Sequence, residues 1–361
     1  MLPHFVRNAP VMAGIAALFG VLMATPRPAA SHQAKKPTPK PKPAPAQPPT
    51  VKPATGVKAA TELAGDNGRL SVPYMIGEKN QELVITLRSA EYSTRPVQIA
   101  NVSDEAIPKA DEKLLILHYS VQNPQSSDMD FYWESLVFTA VDAKDVNHLS
   151  SWVARDGSAE SLSVQLKPAQ KLDVFTALKV PADGPVPKLI VQRGGGRVLR
   201  YDLRGKVTPL TPPIADPADT AGTTARREIP GGLVGTFYTT GSFDLRVDSI
   251  TFQAKQPSGE DPEEGKHYAV VTLTYKNLLN RPLEYSGGTF KAELVTTDGE
   301  KLEESQILKL RSAESANGTL RPGEEGKARI VIAVPAAAGA KTLRIQEGEE
   351  GRAFVINTTA K

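Results

Sequence analysis

The chain repeats itself, and that constrains its fold more than any other feature. Residues 114–123 read LLILHYSVQN, and 154 positions on, residues 268–277 read YAVVTLTYKN. At the same offset, LKPAQKLDVFTALKVPADGPVPKLIVQ (166–192) meets LRPGEEGKARIVIAVPAAAGAKTLRIQ (320–346). RVLRYDLR from Arg197 meets RAFVINTT from Arg352 at an offset of 155, and LVITLRSAEY from Leu83 meets FDLRVDSITF from Phe243 at 160. The six-residue difference falls in one loop, 93–112 against 253–266. Segments kept in one order, with length changes confined to loops, make two copies of one unit.

The repeated segments alternate apolar and polar residues with period two, as half-buried strands do. Leu115, Leu117, Tyr119 and Val121 share one face, and Ala269, Val271, Leu273 and Tyr275 are their counterparts. Turn chemistry such as Thr297-Asp298-Gly299 and Arg321-Pro322-Gly323 cuts the strands apart. Only residues 301–312 carry a weak helical pattern. Several short strands per half predict an antiparallel β-sandwich, with a small barrel as the alternative.

Outside the repeat, the ends differ in kind. Arg7 followed by an uncharged apolar run, residues 11–24, and by Ala29-Ala30-Ser31 reads as a signal peptide over 1–31. The run is short for a membrane span; the alternative is an uncleaved inner-membrane anchor. Residues 35–58 alternate Pro with Lys and Ala, and a disordered, polyproline-like tail is expected over 32–67. Module one is expected over 68–208 and module two over 231–361. The stretch 209–230 between them is expected to be a Pro-rich linker crossed by few contacts. Charge follows the same division. Residues 1–58 hold eight Lys and Arg and no acid, which leaves 35 basic residues against 40 acidic ones in the rest. A basic folded surface for nucleic acid is therefore not expected. The chain has no cysteine, which excludes disulfides, thiol nucleophiles and a lipidated N-terminal Cys.

With its parts in order, module two resembles the Ig-like secreted domains of bacteria called immunoprotective extracellular domains. A strand like FDLRVDSI is followed by HYAVVTLTYKNLLNRPLEY, then TFKAELVTTDG, then LRPGEEGKARIVIAVP and a closing strand. Module one carries the same order, with Pro168-Ala169-Gln170 where module two has Pro-Gly-Glu. The resemblance implies an all-β chain of two tandem Ig-like antiparallel β-sandwiches, secreted or periplasmic. Such motifs encode a fold and not an activity.

No motif for chemistry emerges. The five histidines include no close pair, there is no G-x-S-x-G elbow, and Gly194-Gly195-Gly196 reads as a hairpin turn between strands around Ile190 and Leu199. Acidic loops at Asp104, Glu105, Asp111, Glu112 and at Glu260, Asp261, Glu263, Glu264 have a calcium-like composition without an EF-hand rhythm. No cofactor, metal or catalytic residue is expected. A non-catalytic binding or scaffolding protein of the envelope or exterior is the leading reading. A structural spacer without a small ligand is its alternative, with a hydrolase of unrecognised site behind both. The repeat supplies one pointer to a surface. Tyr132, Trp133, His148 and Trp152 stand where module two has Ser286, Gly287, Leu302 and Gln306. Residues unlike their counterparts are free of the shared folding duty, and aromatics suit protein or polysaccharide partners. These four are the candidate partner-binding residues.

Overall fold

The computed structural model describes residues 66–97, 106–150, 152–158, 162–257, 259, 263–304 and 306–358. The expected signal peptide and all but the last two residues of the tail lie outside them. Among the described residues the fold is all-β, without a helix.

In chain order the first half contributes β1 (Asp66–Gly68), β2 (Tyr74–Ile76), β3 (Leu83–Ser93), β4 (Glu112–Gln122), β5 (Met129–Tyr132), β6 (Val137–Val141), β7 (Asn147–Ser150), β8 (Ala154–Arg155), β9 (Ser163–Leu166), β10 (Lys171–Pro181), β11 (Lys188–Gln192), β12 (Leu199–Asp202) and β13 (Val207–Thr208). The second contributes β14 (Glu228–Gly232), β15 (Tyr238–Thr239), β16 (Phe243–Gln253), β17 (Lys266–Asn277), β18 (Leu283–Tyr285), β19 (Phe290–Thr296), β20 (Lys301–Glu303), β21 (Gln306–Lys309), β22 (Gly318–Leu320), β23 (Glu325–Pro335), β24 (Ala340–Glu347) and β25 (Ala353–Asn357). The first half packs the sheet β1-β12-β11-β6-β7 against β13-β3-β4-β10-β8; the second packs β14-β25-β24-β19-β20 against β15-β16-β17-β23-β21. The weak helical pattern at 301–312 is instead the two strands β20 and β21, held by pairing to β19 and β23.

Each half encloses its own core. Leu115, Leu117, Tyr119 and Val121 are fully buried in the first, and Ala269, Val271, Leu273 and Tyr275 in the second. The equivalence extends to single hydrogen bonds. Asn123 accepts from the Gln125 amide (2.8 Å) and donates to the carbonyls of Ser127 (2.8 Å) and Leu166 (2.9 Å). Asn277 makes the same three bonds, to Leu279 N (2.8 Å), Arg281 O (2.8 Å) and Leu320 O (3.0 Å). The turn each asparagine braces needs a left-handed residue at its second corner. Module two uses Gly323 (φ 72°), whereas module one forces Ala169 there (φ 62°), in a region costly for a residue with a Cβ.

Both long hairpins carry a β-bulge at one position. The β3–β4 register skips Arg88 and the β16–β17 register skips Asp248. The bulged side chain reaches a charge on the third strand: Arg88 pairs with Asp173 on β10 (2.9 Å), and Asp248 with Lys327 on β23 (3.0 Å). Positions 173 and 327 are equivalent in the repeat, so one ion pair recurs with its signs exchanged.

The stretch 209–230 departs from the expectation of a bare linker. Leu210 N donates to Gly222 O (2.9 Å), and the Asp219 carboxylate accepts from Thr223 N, Thr223 Oγ1 and Thr224 N at 2.7–2.8 Å. Those bonds hold the Asp219 carboxyl low, at about 2. Ile214 packs against both cores, and Ala225 is buried in the first. The prolines forbid a ladder but not packing, because the bonds run through the residues between them. Buried Lys113 ties the adjoining loop: its ammonium donates to the carbonyls of Pro181 (2.8 Å), Ala182 (2.9 Å) and Gly184 (2.7 Å) beneath the Tyr92 ring. Burial lowers this lysine to about 8.

Candidate functional site

The strand β5 sets Met129 and Phe131 toward the core and Asp130 and Tyr132 outward, as its period requires. A turn follows at once. Ser135 N donates to Tyr132 O, and Tyr132 N to Ser135 Oγ, both at 2.9 Å. Module two builds the same turn from Ser286-Gly287-Gly288-Thr289, with Thr289 N to Ser286 O (3.0 Å) and Ser286 N to Thr289 Oγ1 (2.9 Å). Two glycines suffice there, so the turn does not require the aromatic pair. Tyr132 and Trp133 are 47% and 39% exposed.

Tyr132 lines a cleft of about 510 Å³ with Glu78, Gln81, Gln125, Asp130 and Arg193. One wall is the hairpin loop 77–82 joining β2 to β3. Arg193 also lines it; its Nε donates to Gln81 O (2.9 Å), and partial burial pulls its guanidinium below the usual range. Gly194-Gly195-Gly196 forms the hairpin turn between β11 and β12, and Gly195 N donates to the Glu78 carboxylate (2.9 Å).

The other two candidate residues lie elsewhere. Trp152 meets Phe175 edge-on at 5.8 Å and packs beside Leu114, Ile116 and Ala177, a small cluster apart from the main core. His148, on β7, bonds Asp142 (3.0 Å), which also accepts from the Lys144 and Val146 amides and so closes the β6–β7 turn. Burial opposes ionisation of Asp142, but the His148 bond and those amides outweigh it and hold the carboxyl below its usual range. Of the four candidates only Tyr132 lines the cleft; Trp133 is exposed on the turn beside it, and Trp152 and His148 lie apart.

The corresponding end of module two explains what this surface can do. There the β15–β16 hairpin is cut to Gly241-Ser242, and Glu347 replaces Arg193. Its carboxylate accepts from the Ser242 (3.2 Å) and Phe243 (3.1 Å) amides, while burial pushes its carboxyl up. Into the space left by the short hairpin comes a loop of module one, residues 107–110. Lys109 Nζ pairs with Glu350 (2.9 Å), and Ala110 N donates to Glu350 O (2.8 Å). Arg352, only 2% exposed, donates to the carbonyls of Glu112 (2.8 Å) and Lys109 (3.4 Å). Sequence reasoning missed both Arg193 and Arg352. The signal for Arg352 was present in the Arg197–Arg352 alignment, which needed its own offset beside this very loop.

Among the described residues no group of His, Cys, Asp and Glu could hold a metal, and no helix is long and apolar enough to cross a membrane. The calcium-like residues Asp104, Glu105, Glu260 and Asp261 lie outside the described residues.

Residues 233–352 match the model of a domain of unknown function, DUF4352. No curated protein matches the chain. An uncharacterized β-sandwich protein from Clostridium difficile 630 is similar at 16% identity over 37% of this chain and 93% of its own, with a TM-score of 0.29. A secreted protein of Mycobacterium tuberculosis, MPT63, is similar at 12% identity over 38% of this chain and 97% of its own, with a TM-score of 0.26. None of these descriptions indicates an enzymatic family.

Proposed function

We propose that the chain is a non-catalytic binding protein of the cell envelope or exterior, built from two Ig-like modules of the immunoprotective extracellular type, and that it meets its partner at the Tyr132 cleft of module one. One observation carries this reading. The equivalent end of module two already holds a polypeptide loop, so this end of the sandwich is a docking surface in its own chain. In module one the same end is opened by a longer hairpin and furnished with two exposed aromatics that the turn does not need. Trp and Tyr dominate binding energy where they meet a partner, whether polypeptide or polysaccharide.

The test is capture of envelope protein and cell-wall polysaccharide fractions by the chain and by its Tyr132→Ala/Trp133→Ala variant. Loss of about tenfold or more in affinity is expected, with a melting temperature within about 2 °C of the parent, since both side chains are exposed. Equal capture by both proteins removes the cleft from the function. A second reading, a stiff structural spacer, draws on the Arg352 junction, which clamps two sandwiches through backbone carbonyls. It expects no captured partner at either surface.

A further inference from the structure

The repeat marks a second surface on module one, and no residue of β7, at its centre, lines the Tyr132 cleft. β7 ends its sheet, and among the described residues no strand pairs with its far side. Such an edge presents unpaired N–H and C=O groups, and proteins usually guard it with charge. Module two does so. Its equivalent strand β20 is Lys301-Leu302-Glu303, flanked by Glu300 and Glu304. Lys301 pairs with Glu293 (3.1 Å) on the neighbouring strand, and Arg344 with Glu228 (2.7 Å) on the same outer face. Module one has no such guard. At the offset of 154, Val137, Thr139, Val146, Leu149 and Ile190 stand where module two has Lys291, Glu293, Glu300, Glu303 and Arg344. Val137, Val146 and Leu149 are exposed, Leu149 at 68%.

The register places Leu149 where it can pair again. Phe138 and Ala140 fill the core, so Thr139 and its cross-strand partners Leu149 and Ile190 face outward. The ladder bonds fix the other direction. Asp142 N donates to Val146 O (3.0 Å) at the hairpin end, and bonded and non-bonded pairs alternate from there. Val141 with Asn147 and Thr139 with Leu149 are therefore the non-bonded pairs. Asn147 and Leu149 turn their N–H and C=O groups away from β6, toward the open side.

We propose that β7 pairs with β7 of a second copy of the chain, antiparallel about a two-fold axis at Leu149, and so joins two five-stranded sheets into one. In such an isologous contact a residue on the axis meets itself. Leu149 then meets Leu149 as a bonded pair, each N–H donating to the carbonyl across the axis, and both outward groups are satisfied. The uncharged row of module one tolerates this. The same contact through β20 would set Glu303 on Glu303, like charges in direct opposition. The edge is thus self-complementary in module one and self-repelling in module two.

Sedimentation equilibrium of the full chain over about a hundredfold range of concentration reads the association directly. A monomer–dimer equilibrium is expected. Leu149→Glu gives module one the residue of module two and should weaken the dimer by about a hundredfold. The variant monomer should fold as the parent does, because the side chain is exposed. The absence of cysteine allows a test of register. In Leu149→Cys the two substituted positions lie about 5.5 Å apart across the axis, within disulfide reach, whereas in Asn147→Cys they lie about 14 Å apart. Oxidation should link Leu149→Cys into a covalent dimer about tenfold faster or more than Asn147→Cys. A parent that stays monomeric, a dimer that Leu149→Glu leaves intact, or equal linking at both positions each overturns the proposal. The first would leave the edge to a foreign strand or to solvent. A dimer lost instead on Tyr132→Ala/Trp133→Ala would place the contact at the cleft and overturn it as well.

Discussion

The two modules make the same sandwich and put the same end of it to different use. In module two a two-residue hairpin, Gly241-Ser242, leaves room for a neighbouring loop; Glu350 pairs with its Lys109, and Glu347 closes the hairpin itself. In module one a six-residue hairpin, 77–82, rises over the corresponding place, Arg193 replaces the carboxylate, and a cleft opens beside two exposed aromatics. The features shared by both copies are those that a sandwich of this topology needs: the bulge, the buried asparagine and the tight turn. Of the features confined to one copy, the long hairpin, Arg193 and the exposed aromatics Tyr132 and Trp133 belong to this end. Duplication thus separates folding duties from other duties within a single molecule, without recourse to any relative.

The shared features can be broken one at a time. Asn123→Ala and Asn277→Ala each strip three hydrogen bonds from a buried corner. Each is expected to lower unfolding free energy by about 2–3 kcal/mol, read from denaturant midpoints. Markedly unequal losses would show that the two corners are not equivalent. Lys113 exists in module one alone, since His267 takes its place in module two, and it gives that module a pH signature. Its folded pKa, about 8, lies below that of an unfolded lysine, so the unfolded state binds more protons between about pH 8 and pH 10. Stability therefore rises with pH across that window, by about 2 kcal/mol. Asp183 and Asp219 oppose the shift and Arg352 adds to it. In Lys113→Met the rise should vanish; a flat profile in the parent would refute the assignment. The smallest effect is the most pointed. Ala169→Gly should stabilise the chain by about 0.5–1 kcal/mol by relieving the left-handed alanine, whereas Gly323→Ala should cost about 1 kcal/mol. Opposite signs at equivalent positions are what chemical denaturation must find.

Much of the fold was legible because period-two patterning survives in both copies and errors in one are corrected by the other. Leu115 to Val121 and Ala269 to Tyr275 announce their faces without ambiguity. Residues 301–312 misled because their apolar spacing carries no trace of the short strands that pair with β19 and β23. Proline content in 209–230 suggested solvent. The packing there instead depends on Ile214 and on the Asp219 carboxylate, single residues whose partners are fixed only in three dimensions. The site was half legible. Tyr132 and Trp133 stood out against Ser286 and Gly287 and are exposed. Trp152 and His148 stood out equally, but they pack on Phe175 and bond Asp142, since a change of residue can serve a local repacking as well as a surface. Arg193 could not be found by its type, because its importance comes from the hairpin that folds over it.

The ion pair with exchanged signs has a consequence for how the chain reaches its native state. Tandem copies risk trading elements while folding, the characteristic failure of repeat proteins. Were β23 to take the place of β10 beside β4, Lys327 would confront Arg88; were β10 to take the place of β23 beside β17, Asp173 would confront Asp248. Each wrong insertion sets like charges at a bulge where the right one sets opposite charges, so a single inverted contact marks β10 and β23 with the module to which each belongs.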